Sequence, residues 1–130
     1  MAEKNGVCLV IGAGDDTGAA IAKAFARDGL TACLVRRPRH GDALETLAQS
    51  IRDEGGKAEA CPCDARDEEA MIALFERIEN DIGPIEVAVF NIGANVRFSI
   101  TDTTERVFRK VWEMACLSGF LMGREAAARM

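Results

Sequence analysis

Gly12, Gly14 and Gly18 are the residues whose type and spacing first suggest chemistry, and that chemistry is the holding of a phosphate. They lie in the stretch VCLVIGAGDDTGAAIAKAFA, residues 7–26. Val7, Leu9, Val10 and Ile11 form a short apolar run, as a parallel strand covered on both faces does. Ile21, Ala22, Phe25 and Ala26 then recur at helical spacing, so the glycines fall where a strand gives way to a helix. A helix N-terminus presents unpaired backbone N–H groups, and glycines let an anion come close to them. The spacing, GxGxxxG, is one residue longer than the common dinucleotide fingerprint GxGxxG.

The elements that must position this turn alternate along the chain. Asp28-Gly29 closes the first helix, and Thr31 to Val35 reads as a second strand ended by Arg36-Arg37-Pro38-Arg39. Leu44, Leu47, Ala48 and Ile51 mark one face of a second helix, stopped by Gly55-Gly56. Ala58 to Cys63 is a third strand whose Pro62 suits an edge, because proline donates nothing to a ladder. Asp67 is placed to cap a third helix with the stripe Met71, Leu74, Phe75, Ile78 and Ile82, and Gly83-Pro84 stops it. Ile85 to Phe90 is a fourth strand, ending in Asn91-Ile92-Gly93. Asp102 and Glu105 have capping-box spacing before a long helix, Thr104 to Met130. The order βαβαβαβα predicts an α/β fold: a doubly wound, Rossmann-like parallel sheet with expected strand order 3-2-1-4.

Composition agrees with one domain over residues 1–130. Hydrophobic residues at 48% and charged residues at 28% describe an ordinary globular chain. The net charge of −5 argues against nucleic acid or an anionic membrane as partner. No apolar run is long enough to span a bilayer, and MAEKNG lacks the pattern of a signal peptide. Five cysteines, with Cys8 and Cys33 inside expected buried strands, favour reduced thiols and a cytoplasmic location.

Four features, taken in order, resemble the short-chain dehydrogenase/reductase family: the glycine turn, Asp64 after the third strand, Asn91-Ile92-Gly93 after the fourth, and the helix VFRKVWEMACLSGF. The resemblance runs through essentially the whole chain and covers the N-terminal half of such a protein. The family's glycine pattern is GxxxGxG; Gly12 and Gly18 match it, and Asp16 stands where the middle glycine belongs. The resemblance implies NAD(P)-dependent hydride transfer between a nicotinamide and a small-molecule carbonyl or alcohol. It assigns Gly12, Gly14, Asp16, Thr17 and Gly18 to the pyrophosphate turn, and Cys63, Asp64 and Ala65 to the adenine end, with Asp64 bonding the amino group. Asn91 would steady the central sheet, and Ile92 and Gly93 would border the cofactor.

The end of the second strand selects between the two nicotinamide cofactors. A carboxylate there holds the ribose hydroxyls, whereas a basic residue accepts the 2′-phosphate. Arg36 and Arg37, with Arg39 close by, favour NADP(H) while leaving NAD(H) open. A charge-assisted guanidinium–phosphate bond contributes about 1.5–3 kcal/mol. Asp15 and Asp16 oppose it: a carboxylate about 6 Å from a phosphate, at an effective dielectric near 20, costs about 3 kcal/mol. Binding therefore requires these two side chains to point outward, where one of them is placed to cap the helix.

The family's proton chemistry uses a Tyr, a Lys four residues later and an upstream Ser. The chain has no Tyr, so no catalytic residue is assigned, and the Ser-Tyr-Lys segment is expected beyond Met130. Cys116 aligns with an Asn that relatives carry in the long helix, and it lacks an amide's paired donor and acceptor. These 130 residues alone are expected to bind NADP(H) without turnover.

The helix Thr104–Met130 has two apolar faces. One carries Val107, Val111, Ala115, Ser118 and Met122; the other carries Phe108, Trp112, Cys116, Gly119, Phe120 and Gly123. A single domain needs only one, so the second is expected to meet another copy, with Ala115, Gly119 and Gly123 allowing close approach. Strand four, with Val87 and Val89, would present an open edge that favours association.

Weaker constellations assign no further site. Cys61-Pro62-Cys63 lacks metal-ligand spacing, so no metal is expected. His40 reads as a solvated loop histidine, and Ser99, Thr101 and Thr103 as loop and cap residues. Two other classes are a catalytically silent nucleotide-binding module and an interaction protein that uses the long helix. A methyltransferase of the same strand order fits less well, because its ribose-holding acid would stand where Arg36 is.

Overall fold

A computed structural model describes residues 6–93 and 96–130. The reading of the N-terminal segment as carrying no leader rests on residues 1–5, outside the described residues. Four parallel strands, β1 (Val7–Ile11), β2 (Thr31–Val35), β3 (Lys57–Ala60) and β4 (Ile85–Phe90), form one sheet in the order β3-β2-β1-β4. The crossovers run through α1 (Thr17–Arg27), α2 (Gly41–Asp53) and α3 (Glu68–Asp81); after β4 come α4 (Glu105–Trp112) and α5 (Ser118–Arg129). This is the Rossmann-like architecture that the alternation of patterns predicts.

Burial explains why β1 reads as a continuous apolar run. All five of its residues are fully buried, because helices cover both faces of the sheet. Leu9 and Ile11 pack with Met71, Phe75 and Ile78 of α3 and with Met122 and Ala126 of α5. Cys8 and Val10 pack with Ala22 and Ala26 of α1 and Leu44, Ala48 and Ile51 of α2 on the other face. Gly29 and Gly55 carry the chain out of α1 and α2 at positive φ, which L side chains rarely adopt. Asp67 caps α3 by accepting the Ala70 N–H at 3.2 Å.

Several boundaries differ from the sequence expectation. β3 stops at Ala60, short of the expected Cys63, although Cys61 and Cys63 still donate backbone N–H groups to Leu34 and Arg36 at 2.8 and 2.9 Å. Pro62 lies between those two donors, just past the edge strand, exposed where its missing N–H costs nothing. The last helix is capped by Thr104, whose hydroxyl accepts the Val107 N–H at 3.2 Å, and not by Asp102. Asp102 instead closes a turn with Ser99, whose hydroxyl donates to it at 2.8 Å, and Thr103 donates to the Ser99 carbonyl.

The long helix is also not uniform. A π turn over Glu113–Leu117 joins α4 to α5, with the Ser118 hydroxyl bonded to the Met114 carbonyl. Ala115 lies within this wider turn and is exposed, whereas Ser118 and Met122 of the same expected face, beyond it, are buried. Gly119 was expected to admit a neighbouring helix; its opening faces the Phe90 ring of β4 instead, about where a Cβ would make a 3.3 Å contact. Gly123 and Cys116 do lie exposed, as do Phe108, Trp112 and Phe120. β4 is an edge of the sheet among the described residues, with Val87 and Val89 half-buried.

Candidate functional site

The carboxyl ends of the four strands open onto one cleft of about 370 Å³, where the sheet order reverses between β1 and β4. Its floor is the turn from β1 to α1. Gly12 has φ +94°, and a Cβ there would strike the Asn91 carbonyl. A Cβ on Gly18 would strike the Gly12 carbonyl and approach the Ala13 Cα to 2.8 Å, so helix and turn meet closely only because both residues are glycine. Gly14 has open space in front of it. The turn is bonded into β2 through the Gly12 and Ala13 N–H groups, both on the Val35 carbonyl at 2.9 and 3.1 Å.

α1 begins directly after this turn. Its first backbone bonds are Ala19 N–H to the Gly14 carbonyl and Ala20 N–H to the Asp16 carbonyl. Asp16 holds the N-cap position, but its side chain makes no capping hydrogen bond, contrary to the expected role. Asp15, Asp16 and Thr17 are all exposed and line the cleft, but Asp15 does not turn away into water as expected: its carboxylate lies within ion-pair distance of Arg36.

The basic wall comes from the end of β2. Arg36 has a side chain only 19% exposed, within 3.5 Å of the Asp15 carboxylate. Arg37 lies beside it; burial, then the charges of Arg39 and Arg66, hold its guanidinium below the usual range. His40, expected to be a solvated loop residue, closes a short 3₁₀ turn (Pro38–His40) and lines the same cleft, half-exposed.

The far wall follows β3. Cys63 and Ala65 are buried, and burial pushes the Cys63 thiol up to about 11. Asp64 is gripped by Arg66: Nε donates to Oδ1 at 3.0 Å, an Nη to Oδ2 at 2.8 Å, and the Arg66 backbone N–H to Oδ1 at 3.0 Å. These bonds hold the Asp64 carboxyl below the usual carboxylate range. Oδ2 accepts only one of them, so it keeps a lone pair for a further donor. At the end of β4, Asn91 donates its side-chain amide to the Gly12 carbonyl at 3.1 Å and its backbone N–H to Ile11 at 2.7 Å. Ile92 and Gly93 complete that side.

The model of the short chain dehydrogenase family matches residues 6–130. The chain belongs to that family. Among solved structures, a short-chain dehydrogenase from Rhodopseudomonas palustris is 48% identical, superposes with a TM-score of 0.91, and is matched over 98% of this chain and 58% of its own. A fatty acyl-CoA reductase of Mycobacterium tuberculosis is 38% identical over 99 residues, which is 75% of this chain and 33% of the relative. Elsinochrome reductase 1 of Elsinoe fawcettii is 33% identical over 120 residues, 92% of this chain and 45% of the relative. The chain thus spans about a third to a half of the length of these curated relatives.

In this short-chain dehydrogenase chain every residue singled out for cofactor contact lines the one cleft. Sequence reasoning missed Arg66, His40 and Met114, which line it too. Arg66 follows Asp64 by two residues, a signal too short to interpret before the carboxylate's orientation is known. Met114 is carried in by the π turn, which no residue spacing announced. Cys61 and Cys63 both pack in the core, Cys63 where the core borders the cleft, and no group of three or more His, Cys, Asp or Glu that could hold a metal ion occurs among the described residues.

Proposed function

We propose that this chain is the cofactor-binding part of an NADP(H)-dependent oxidoreductase that moves hydride between a nicotinamide and a carbonyl or alcohol carbon. The observation that carries the reading is the basic wall: Arg36 and Arg37 stand at the end of β2 and line the same cleft as Gly14, which has open space in front of it. When bound, the dinucleotide supplies the carbon that gives or takes hydride. The chain's own residues do the holding. The turn Gly12–Gly18 and the start of α1 receive the pyrophosphate, with Thr17 beside it. Arg36 and Arg37 receive the 2′-phosphate. Asp64 accepts the adenine amino group through the free lone pair of Oδ2, with Cys63 and Ala65 forming the surrounding wall. Asn91 locks β4 to the turn, and Ile92 and Gly93 leave space for the rest of the cofactor.

The same reading includes association through the exposed side of α4 and α5, a small-molecule substrate, and a reducing, cytoplasmic setting. All five cysteines are free, four of them buried, which supports that setting. No helix among the described residues is long and apolar enough to cross a membrane.

A second reading, a catalytically silent binding module, is favoured by one fact: these 130 residues contain no tyrosine. Both readings require dinucleotide binding. Isothermal titration with NADPH and NADH tests it. NADPH is expected to bind at least about tenfold tighter, and Arg36→Ala to remove that advantage through loss of about 1.5–3 kcal/mol. Equal affinities in the native chain would defeat the preference. A ketone and aldehyde panel then separates the readings: turnover at ordinary rates by the 130 residues would show that another group moves the proton.

A further inference from the structure

His40 is the chain's single histidine, and it faces the basic end of the cleft. Its Nε2 accepts a hydrogen bond from Arg39 Nε at 3.2 Å, which requires that nitrogen to be unprotonated. The charged groups around it come from three places. Arg36 and Arg37 follow β2, Arg39 shares its own turn, and Asp15 belongs to the loop after β1. Pro62 packs near the start of α2 from the β3 side and brings no charge. Partial desolvation, and after it the fields of Arg36, Arg39 and Arg37, hold the imidazole below its usual range, while Asp15 pulls the other way. With no anion bound, the imidazole is therefore neutral near pH 7 and serves as acceptor for Arg39.

An anion arriving among these arginines reverses the local field. A phosphate dianion brings two negative charges to a wall where Asp15 opposes the fields of three arginines at His40. We propose that His40 is a further ligand of the 2′-phosphate subsite, taking a proton from solvent onto Nε2 as the phosphate binds and so making NADP(H) affinity rise toward acid pH. Protonated, Nε2 becomes a donor and Arg39 loses its acceptor; both N–H groups then turn to phosphate oxygens. The histidine therefore distinguishes the phosphorylated cofactor from the unphosphorylated one by a proton as well as by a contact. This inference rests on the reading of the basic wall as a 2′-phosphate subsite.

Because there is one histidine, its imidazole resonances report on it without assignment by mutation. The test is a pH titration of those resonances by NMR in the ¹⁵N,¹³C-labelled chain, free, with saturating NADP⁺ and with saturating NAD⁺. NADP⁺ is expected to raise the titration midpoint by about one unit, and NAD⁺ to leave it in place. One unit corresponds to a tenfold change in affinity, so NADP⁺ should gain up to about tenfold in the native chain relative to H40Q between pH 8.5 and pH 6. Calorimetry at pH 7 in buffers of different ionisation enthalpy should show net proton uptake that H40Q lacks. The phosphate's own titration near pH 6 is common to both proteins and cancels in that comparison. Tighter binding of NADP⁺ than NAD⁺ with an unmoved His40 midpoint would overturn the role of His40 and leave the subsite standing. An equal shift with both cofactors would also overturn it. Failure of NADP⁺ to bind more tightly than NAD⁺ would overturn the subsite and the inference together.

Discussion

The carboxylate of Asp15 lies 3.5 Å from the guanidinium of Arg36 across the mouth of the cleft. The acid's side chain is 84% exposed, so the pair contributes little to folding, about 0.2–1 kcal/mol. Its larger consequence falls on any phosphate that Arg36 is to hold. At about 6 Å and an effective dielectric near 20, one negative charge opposes another by about 3 kcal/mol before salt screening. Asp15→Asn is therefore expected to tighten NADPH binding about five- to twentyfold while changing NADH binding less than about twofold. Calorimetric titration at low and high salt checks it, and the gain should shrink as salt rises. Equal gains for both cofactors would place the repulsion at the pyrophosphate and not at Arg36.

The glycines of the turn should separate folding from binding. Gly18→Ala puts a Cβ against the Gly12 carbonyl and the Ala13 backbone, neither of which can swing aside. Overpacking of this kind costs about 1–3 kcal/mol, read as a lower urea midpoint. Gly14→Ala meets nothing, and its φ is not positive, so stability should stay within about 0.5 kcal/mol. The added methyl occupies the opening where a phosphate would approach, and dinucleotide affinity should fall. An unchanged affinity in Gly14→Ala would move the phosphate away from this turn.

Much of this geometry was legible in the residues. The apolar run of β1 announced a strand buried on both faces, and the stripes of α2 and α3 turned inward as their spacing required. Gly12 and Gly18 were recognisable because a strand followed by a helix leaves few other uses for two glycines at that join. The rest depended on where side chains point. Asp64 and Arg66 are two residues apart, and only the fold shows that they form a bidentate pair. His40 stands four residues past Arg36, and the 3₁₀ turn brings it back to the cleft. The π turn at Glu113–Leu117 upset the expected face only locally, leaving Ala115 exposed, because a fixed 3.6-residue period cannot represent an inserted residue; beyond it Ser118 and Met122 are buried and Phe120 and Gly123 exposed as their spacing required. Thr104 displaced Asp102 as cap because Asp102 was already committed to Ser99.

Acid should loosen the contact between α3 and α5. Glu125 accepts from Arg124 and Arg129, and those bonds hold its carboxyl below the usual range. Arg124 also reaches Glu68, and Arg129 reaches Glu79, so the buried carboxylate anchors both arginines that cross to α3. A group with a depressed folded-state pKa contributes its stability above the unfolded value, near 4.3 for Glu. That contribution is lost as pH falls through the folded value. Glu125→Gln is therefore expected to be less stable than the native chain at pH 7, and the two urea midpoints should converge below about pH 4. A difference that persists unchanged at pH 3 would assign the effect to packing rather than charge.

The outer side of α4 should govern association. Phe108 and Trp112 are 67% and 46% exposed, flank a shallow hollow with Glu105 and Arg109, and contribute nothing to the buried core. Aromatic groups of this size, left open on a helix that buries no residue of its own, are what a self-complementary interface presents. The double substitution of Phe108 and Trp112 by Ser removes that surface without opening a cavity, so the urea midpoint of the dissociated chain should not fall. Sedimentation velocity should show the native chain as a dimer or larger and the variant shifted toward monomer by at least about tenfold in dissociation constant, or about 1.4 kcal/mol. A native chain that stays monomeric at high concentration would remove α4 as an interface. A variant that still dimerises would move the contact to the open edge at β4, where charged substitution of the half-buried Val87 or Val89 becomes the next test.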